Sequence, residues 1–412
     1  MLALEYYRSI PRYLLGKLLA RIFPRTFFPR LAPLRLRDLP FQPPRPDWVV
    51  LKPRLCGVCG SDLNLLRGAE SYLLEPYASF PCILGHEVVA EVESAPRGSG
   101  LVPGTRVAVN PLLACRARGL PPCPACARGE ENLCEHFTLG HLPPGVILGF
   151  THGAGGGLAE RLAAPPGNLV PLPDHLPDEV AVLTDSLASA LQPVLDHFPP
   201  DEATVVIYGA GIIGQHLLRS LRALGSRARL LVVARYPFQA RLAEAGGADL
   251  VLLSPSRGEL AEALGARLLP TTLGGGNLEG GAGYFFDCVG STTSFQTGLL
   301  ALKARGTYVL VGTAGRLGPV DISSLWFREL RLTGSAMYAH GAPGKKRRST
   351  YALAVELLAG GHYPTQGLLT HIFPLTHYRQ AFRTAMDKPR FQSLKVAVDL
   401  RQASDHHTQI ST

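Results

Sequence analysis

The chain is predicted to be a two-domain α/β protein: one irregular, β-rich domain and one doubly wound parallel sheet. Three observations lead there. From Trp48 to about Pro173, short apolar runs such as Val49-Val50-Leu51, Val88–Val92 and Arg106–Val109 are punctuated by glycine and proline, as in an irregular β-rich domain. From about Thr184 the pattern becomes helix Ser186–His197, strand Thr204–Tyr208, helix Ile212–Leu224 and strand Leu230–Ala234, continuing through strands Tyr284–Phe286 and Tyr308–Val311. Alternating strands and helices build a parallel sheet. Finally, 412 residues with 46% hydrophobic and 18% charged content are enough for two separate cores.

The expected division is 1–180 with 326–412 for the β-rich domain and 181–325 for the doubly wound one. Residues 1–10 read as a short strand, and 11–45 as an inserted basic arm ending in Pro40-Phe41-Gln42-Pro43-Pro44-Arg45-Pro46. Within the arm Ile10, Leu14, Leu15, Leu18, Leu19 and Ile22 share one helical face. That face is expected to pack on the protein's own body or a subunit neighbour. A membrane surface or a partner protein is the other reading.

Of the net charge of +9, residues 1–37 carry +7: eight basic side chains against Glu5 alone. The remainder is close to neutral, and no basic face interleaved with aromatics points to nucleic acid. No apolar stretch is long enough for an integral membrane segment. Eight cysteines in so long a chain do not suggest a disulfide scaffold, and their clustering suggests thiolates kept reduced in a cytoplasm.

Gly209-Ala210-Gly211-Ile212-Ile213-Gly214 follows a β-branched run and opens a helical stretch, the context a dinucleotide turn requires. Gly209 would make the tight turn, Gly211 let a pyrophosphate approach, and Gly214 let helix and strand pack. The N-terminal N–H groups of the helix, starting at Ile212 and Ile213, would face phosphate. At the end of the second strand, where an NAD-binding chain normally places a carboxylate, stand Ala234 and Arg235, with no acid until Glu244. Arg235 could pair with a 2′-phosphate, so NADP(H) is favoured over NAD(H).

Cys115, Cys123, Cys126 and Cys134, spaced C-x7-C-x2-C-x7-C, would fill a tetrahedral zinc and leave no open position, which makes that site structural. A catalytic zinc keeps three protein ligands and one open position. Cys59 and His86 are candidates for two of them and Asp185 for the third, although Asp is also a common helix cap. Glu87, next to His86, could ligate transiently or support a ligand. Cys56 makes a C-x-x-C with Cys59, and a redox pair is the minor reading of it.

Together these residues resemble the zinc-dependent medium-chain alcohol and polyol dehydrogenases, over nearly the whole chain outside the arm. Gly57–Asp62 looks like the first zinc-ligand motif of that family and Gly85-His86-Glu87 like its second, while Asp185–Leu191 is similar to the segment supplying the third ligand. Asp287–Gly290 and Val311-Gly312 resemble later cofactor contacts, which brings in Val289 and Gly312. The sequence departs from the family in having seven residues between its first two structural cysteines, not two, and Asn64 where a histidine is often found.

The resemblance implies a GroES-like catalytic domain, a Rossmann domain, two zinc ions per chain and a homodimer or homotetramer. The expected reaction interconverts a small-molecule alcohol and its aldehyde or ketone by hydride transfer. Ser61 would take the hydroxyl proton, and Asp62 would support a ligand. A non-catalytic, zinc-stabilised nucleotide-binding or redox-sensing protein is the alternative.

Overall fold

The computed structural model describes residues 1–313, 315–341 and 348–401. The chain forms two compact units. One contains Met1–Asp185, Tyr351–Gly360 and the chain from Thr365; the other contains Ser186–Thr350 and Gly361–Pro364. The second crossing falls at 350, not 325, because strand Arg331–Gly334 adds itself in parallel beyond Leu302–Leu310 and extends the doubly wound sheet.

The first unit is organised by strand Val49–Val58, the longest in its seven-stranded sheet. Pro53 has no N–H for the ladder, and the register with Glu87–Ser94 shifts between Pro53 and Leu55. Beyond that bulge Cys56 lies opposite Val88 and Gly57 opposite Glu87. On the other edge Lys395–Asp399 pairs so that Ala397 faces Gly57. Leu51, Leu55, Val89, Val107, Val109 and Val398 are fully buried, and helix Tyr378–Met386 adds Tyr378, Phe382 and Met386 to this core.

The segment ahead of this sheet is more ordered than an inserted arm. Strand β1 (Leu2–Tyr6) pairs antiparallel with β2 (Leu34–Asp38), and Cys82–Ile83 joins its other edge. Between β1 and β2 lies helix α1 (Ile10–Ile22), which starts with Pro11 in its first turn and is followed by Pro24. Phe27 then returns to the core, its ring 5.8 Å from that of Phe382. α1 approaches helix α2 (Gly60–Arg67) through its side of small and polar residues: a Cβ on Gly16 would stand 3.3 Å from the Leu66 carbonyl. Of the apolar face only Leu19 is half-buried, and the rest is not packed on the protein's own body. Ile10, Leu14, Leu18 and Ile22 are 61, 53, 55 and 62% exposed.

The second unit holds a six-stranded parallel sheet ordered Leu250–Leu253, Arg229–Ala234, Thr204–Tyr208, Ala282–Asp287, Leu302–Leu310, Arg331–Gly334. The central strands bury Val205, Val206, Ile207, Leu231, Phe285 and Phe286 completely, as expected when helices cover both faces. Among the described residues no helix is long and apolar enough to cross a membrane.

Candidate metal and nucleotide sites

The first cluster follows from the register around Gly57. As strand Val49–Val58 ends, Cys59 becomes the extended N-cap residue of α2, and its N–H donates to Asp62 Oδ2 at 2.9 Å. His86 immediately precedes strand Glu87–Ser94, so the pairing of Gly57 with Glu87 carries Cys59 and His86 together. The ligand atoms of Cys59, His86 and Glu87 all lie within 4.8 Å of one another. Ser61 Oγ is 3.5 Å from His86 Nε2, and Asp62 Oδ1 is 3.8 Å from His86 Nδ1.

This donor set wants a cation. Burial opposes a charge on His86, but Cys59 and Asp62 outweigh it and push the imidazole up to about 10. His86 Nδ1 and Asp62 Oδ1 are buried without a hydrogen-bond partner. A metal accepting Nε2 would leave Nδ1 for Asp62, the arrangement that orients a ligating histidine. The residues present therefore fit a zinc ion.

Sequence reasoning missed Lys395. It is buried with Glu87, and the two form an ion pair in which both side chains are 2% exposed. Burial works against charge on Lys395, yet Glu87 and then Cys59 hold its ammonium above the usual lysine range. A Cβ on Gly57 would meet Glu87 Oε2 at 2.1 Å and Lys395 Cε at 3.0 Å, so only glycine leaves room for the pair. No local signal links residues 308 positions apart; the strand pairing brings them together.

Asp185 is buried in the first turn of helix Thr184–Asp196. It stands outside the 4.8 Å set, although its charge favours the protonated forms of His86 and Lys395. Phe150 sets its ring 5.6 Å from that of His86. Cys56 Sγ sits in the hydrophobic core, where burial pushes its thiol well up, as in a packing cysteine and not a redox partner. All eight cysteines are free.

Cys115, Cys123, Cys126 and Cys134 converge within 4.8 Å. Backbone N–H groups point at the sulfurs: Cys123 donates to Cys115 Sγ at 3.3 Å, Glu135 to Cys123 Sγ at 3.4 Å and His136 to Cys134 Sγ at 3.3 Å. Burial raises the Cys123 thiol, but the N–H groups of Cys126 and Glu135 overcome it and draw it down to about 6. Four converging sulfurs with thiolate-favouring donors fit a closed zinc site. The long Cys115–Cys123 spacing is accommodated by Arg118, which the sequence did not single out. Its buried guanidinium donates to the carbonyls of Leu113, Leu139, Leu142, Pro143 and Gly145 at 2.6–3.1 Å.

In the second unit the turn after Thr204–Tyr208 has Gly209 at φ 103°, in the left-handed region. Gly211 caps helix Ile212–Ala223, whose first N–H groups have no partner within the helix. The neighbouring loop is fixed by buried Asp287. It accepts from the N–H groups of Val289 and Gly290 at 2.9 Å each, from Ser294 Oγ at 2.7 Å and from the Tyr308 hydroxyl at 2.5 Å. A Cβ on Gly312 would stand 2.5 Å from the Val289 carbonyl carbon, so these two loops touch through backbone. Strand Arg229–Ala234 ends at buried Ala234, and Arg235 follows exposed, its guanidinium 5.6 Å from the Tyr236 ring centroid.

Residues 45–174 match the Alcohol dehydrogenase GroES-like domain, and residues 213–359 match the Zinc-binding dehydrogenase domain. An L-idonate 5-dehydrogenase from Vitis vinifera is 26% identical over 82% of this chain and 84% of its own length. The fold is that of an Escherichia coli CFT073 alcohol dehydrogenase solved with NADH, at TM-score 0.72 and 21% identity over 97% of this chain and 99% of that one. It is equally close to 2R,3R-butanediol dehydrogenase from Bacillus subtilis, at TM-score 0.71 and 21% identity over the same shares of both chains. With both domain types in order along one chain, the protein belongs to the zinc-dependent medium-chain dehydrogenase/reductase family.

Proposed function

We propose that this chain oxidises a small-molecule alcohol to a ketone or aldehyde, or runs the reverse reduction, with NADP(H) preferred to NAD(H). The observation that carries the reading is the convergence of Cys59 and His86 with buried carboxylates, in a chain that also holds a complete dinucleotide turn. The polyol and alcohol activities of the similar proteins point to the same substrate class. Thiolate ligands suit a reducing compartment such as the cytoplasm.

Zinc, when bound, supplies the Lewis acidity that lowers the pKa of an alcohol hydroxyl and polarises a carbonyl. Cys59 and His86 would hold it, with Asp185 as the third ligand. Asp62 steadies His86 through Nδ1, while Ser61 Oγ, near Nε2, takes the hydroxyl proton and passes it outward. Glu87 is kept in place by Lys395. Its membership of the 4.8 Å set supports a second reading, in which Glu87 and not Asp185 completes the ligands.

Metal content and turnover test this together. The wild-type chain is expected to hold about two zinc ions; Cys59→Ser should hold about one and lose turnover by a factor of about a thousand or more. Asp185→Asn and Glu87→Gln separate the two ligand sets, since only loss of a true ligand should release metal. One zinc in the wild type and no turnover with either cofactor would leave a non-catalytic role.

Arg235 carries the cofactor preference. Arg235→Ala is expected to raise the KM for NADPH about tenfold or more, the scale of one charge-assisted contact, and to leave NADH nearly unchanged. A wild-type enzyme faster with NADH than with NADPH would overturn the preference.

A further inference from the structure

α1 is oriented opposite to an ordinary surface helix. Its small and polar side lies against α2, with the Lys17 ammonium donating to the Tyr72 hydroxyl at 2.8 Å and sitting 4.2 Å from that ring's centroid. Its apolar row of Ile10, Leu14, Leu18 and Ile22 faces outward. The turn Tyr72–Tyr77, tied to α1 by the Lys17–Tyr72 contact, exposes further apolar side chains, Leu73 at 84% and Leu74 at 54%. Exposed apolar side chains grouped on one helix face and rimmed by polar groups mark an interaction site.

The charge around it selects the occupant. Between Tyr7 and Pro33 there are six basic side chains and no acidic one, and the Tyr72–Tyr77 turn adds one carboxylate, Glu75, so the patch as a whole is basic. A second copy of the same face would set like charge against like charge. Nucleic acid would leave the outward leucines and isoleucines without a role. An anionic bilayer satisfies both features, because headgroup phosphates meet the cations while the aliphatic row enters the acyl boundary. At 13 residues, α1 is about 20 Å long. That is too short to span a bilayer and long enough to lie in its surface. The matched family region begins at residue 45, so α1 lies outside it and the Tyr72–Tyr77 turn lies within it.

We propose that α1 and the Tyr72–Tyr77 turn form an in-plane anchor that seats the first unit on an anionic membrane surface. The test is co-sedimentation of the full chain with vesicles of phosphatidylcholine alone and of phosphatidylcholine mixed with phosphatidylglycerol. Binding to the mixed vesicles is expected to exceed binding to the neutral ones at least about tenfold and to fall steeply at high salt. Leu14→Gln/Leu18→Gln and, separately, Arg12→Gln/Arg21→Gln should each weaken it about tenfold, with zinc content and Tm unchanged as the check on folding. Equal binding to both vesicles, or binding that the leucine variant does not weaken, would overturn the proposal. So would a wild-type oligomer, seen by light scattering, that the leucine variant dissociates, since a second copy would then cover the face.

Discussion

Replacing Lys395 by methionine is expected to destabilise the first unit by about 3–5 kcal/mol, because it strands Glu87 as a buried carboxylate without its cation. Lys395 and Glu87 are both 2% exposed, so water cannot take over. The same change leaves Cys59, Asp62 and Asp185 as further negative or polar neighbours with one positive charge fewer. Thermal unfolding should show a drop of about 10 °C. The Lys395 ammonium is insensitive to pH in the neutral range. Because the folded state raises the pKa of Lys395, its contribution is complete below the ordinary lysine value of 10.5 and fades only as pH rises through the folded value. Glu87→Gln/Lys395→Met should recover most of the loss, since it removes both charges at once. A Lys395→Met protein as stable as wild type would show that the pair is not a buried charge pair in solution.

The second large effect separates two glycines of one turn. A Cβ on Gly214 would stand 1.9 Å from the Gly209 carbonyl oxygen and 3.0 Å from its carbon, a backbone contact that no side-chain rotation relieves. Gly214→Ala is therefore expected to lower Tm and to weaken NADPH binding a hundredfold or so, through a forced shift of helix against strand. Gly211 has extended backbone, φ −72° and ψ −175°, and a Cβ built there meets nothing within 4 Å. Gly211→Ala should fold with unchanged Tm, while its methyl group occupies the approach of the pyrophosphate and weakens binding about tenfold or more. Fluorescence titration with NADPH alongside thermal melts distinguishes the two. If both alanine variants lost stability equally, the turn would be a packing device and the assignment of Gly211 to a phosphate would fail.

Much of this protein was legible in its sequence wherever local pattern and local chemistry coincide. The glycine turn sits between a β-branched run and an amphipathic helix, and each of those features is specified by neighbouring residues. Cys123 and Cys126 are brought together within one short turn, so their metal-ligand spacing can be read directly. The motifs around Cys59 and His86 were also readable singly, but their meeting depends on the register that sets Gly57 opposite Glu87.

What local sequence could not specify was decided by long-range packing. The apolar row of α1 has the same periodicity whether it is buried or exposed, and only the docking of Gly16 beside Leu66 determines that it faces outward. Arg118 carries no motif, and its five carbonyl partners come from a loop that closes around it. Lys395 is an ordinary lysine until strand pairing buries it against Glu87. By itself the sequence determined the two kinds of domain, the nucleotide turn and the sulfur and imidazole donors, because these are set by residue type and short spacing. Only the tertiary structure decided which charges are buried together and which helix face meets solvent, because burial belongs to the assembled sheets and not to any one segment.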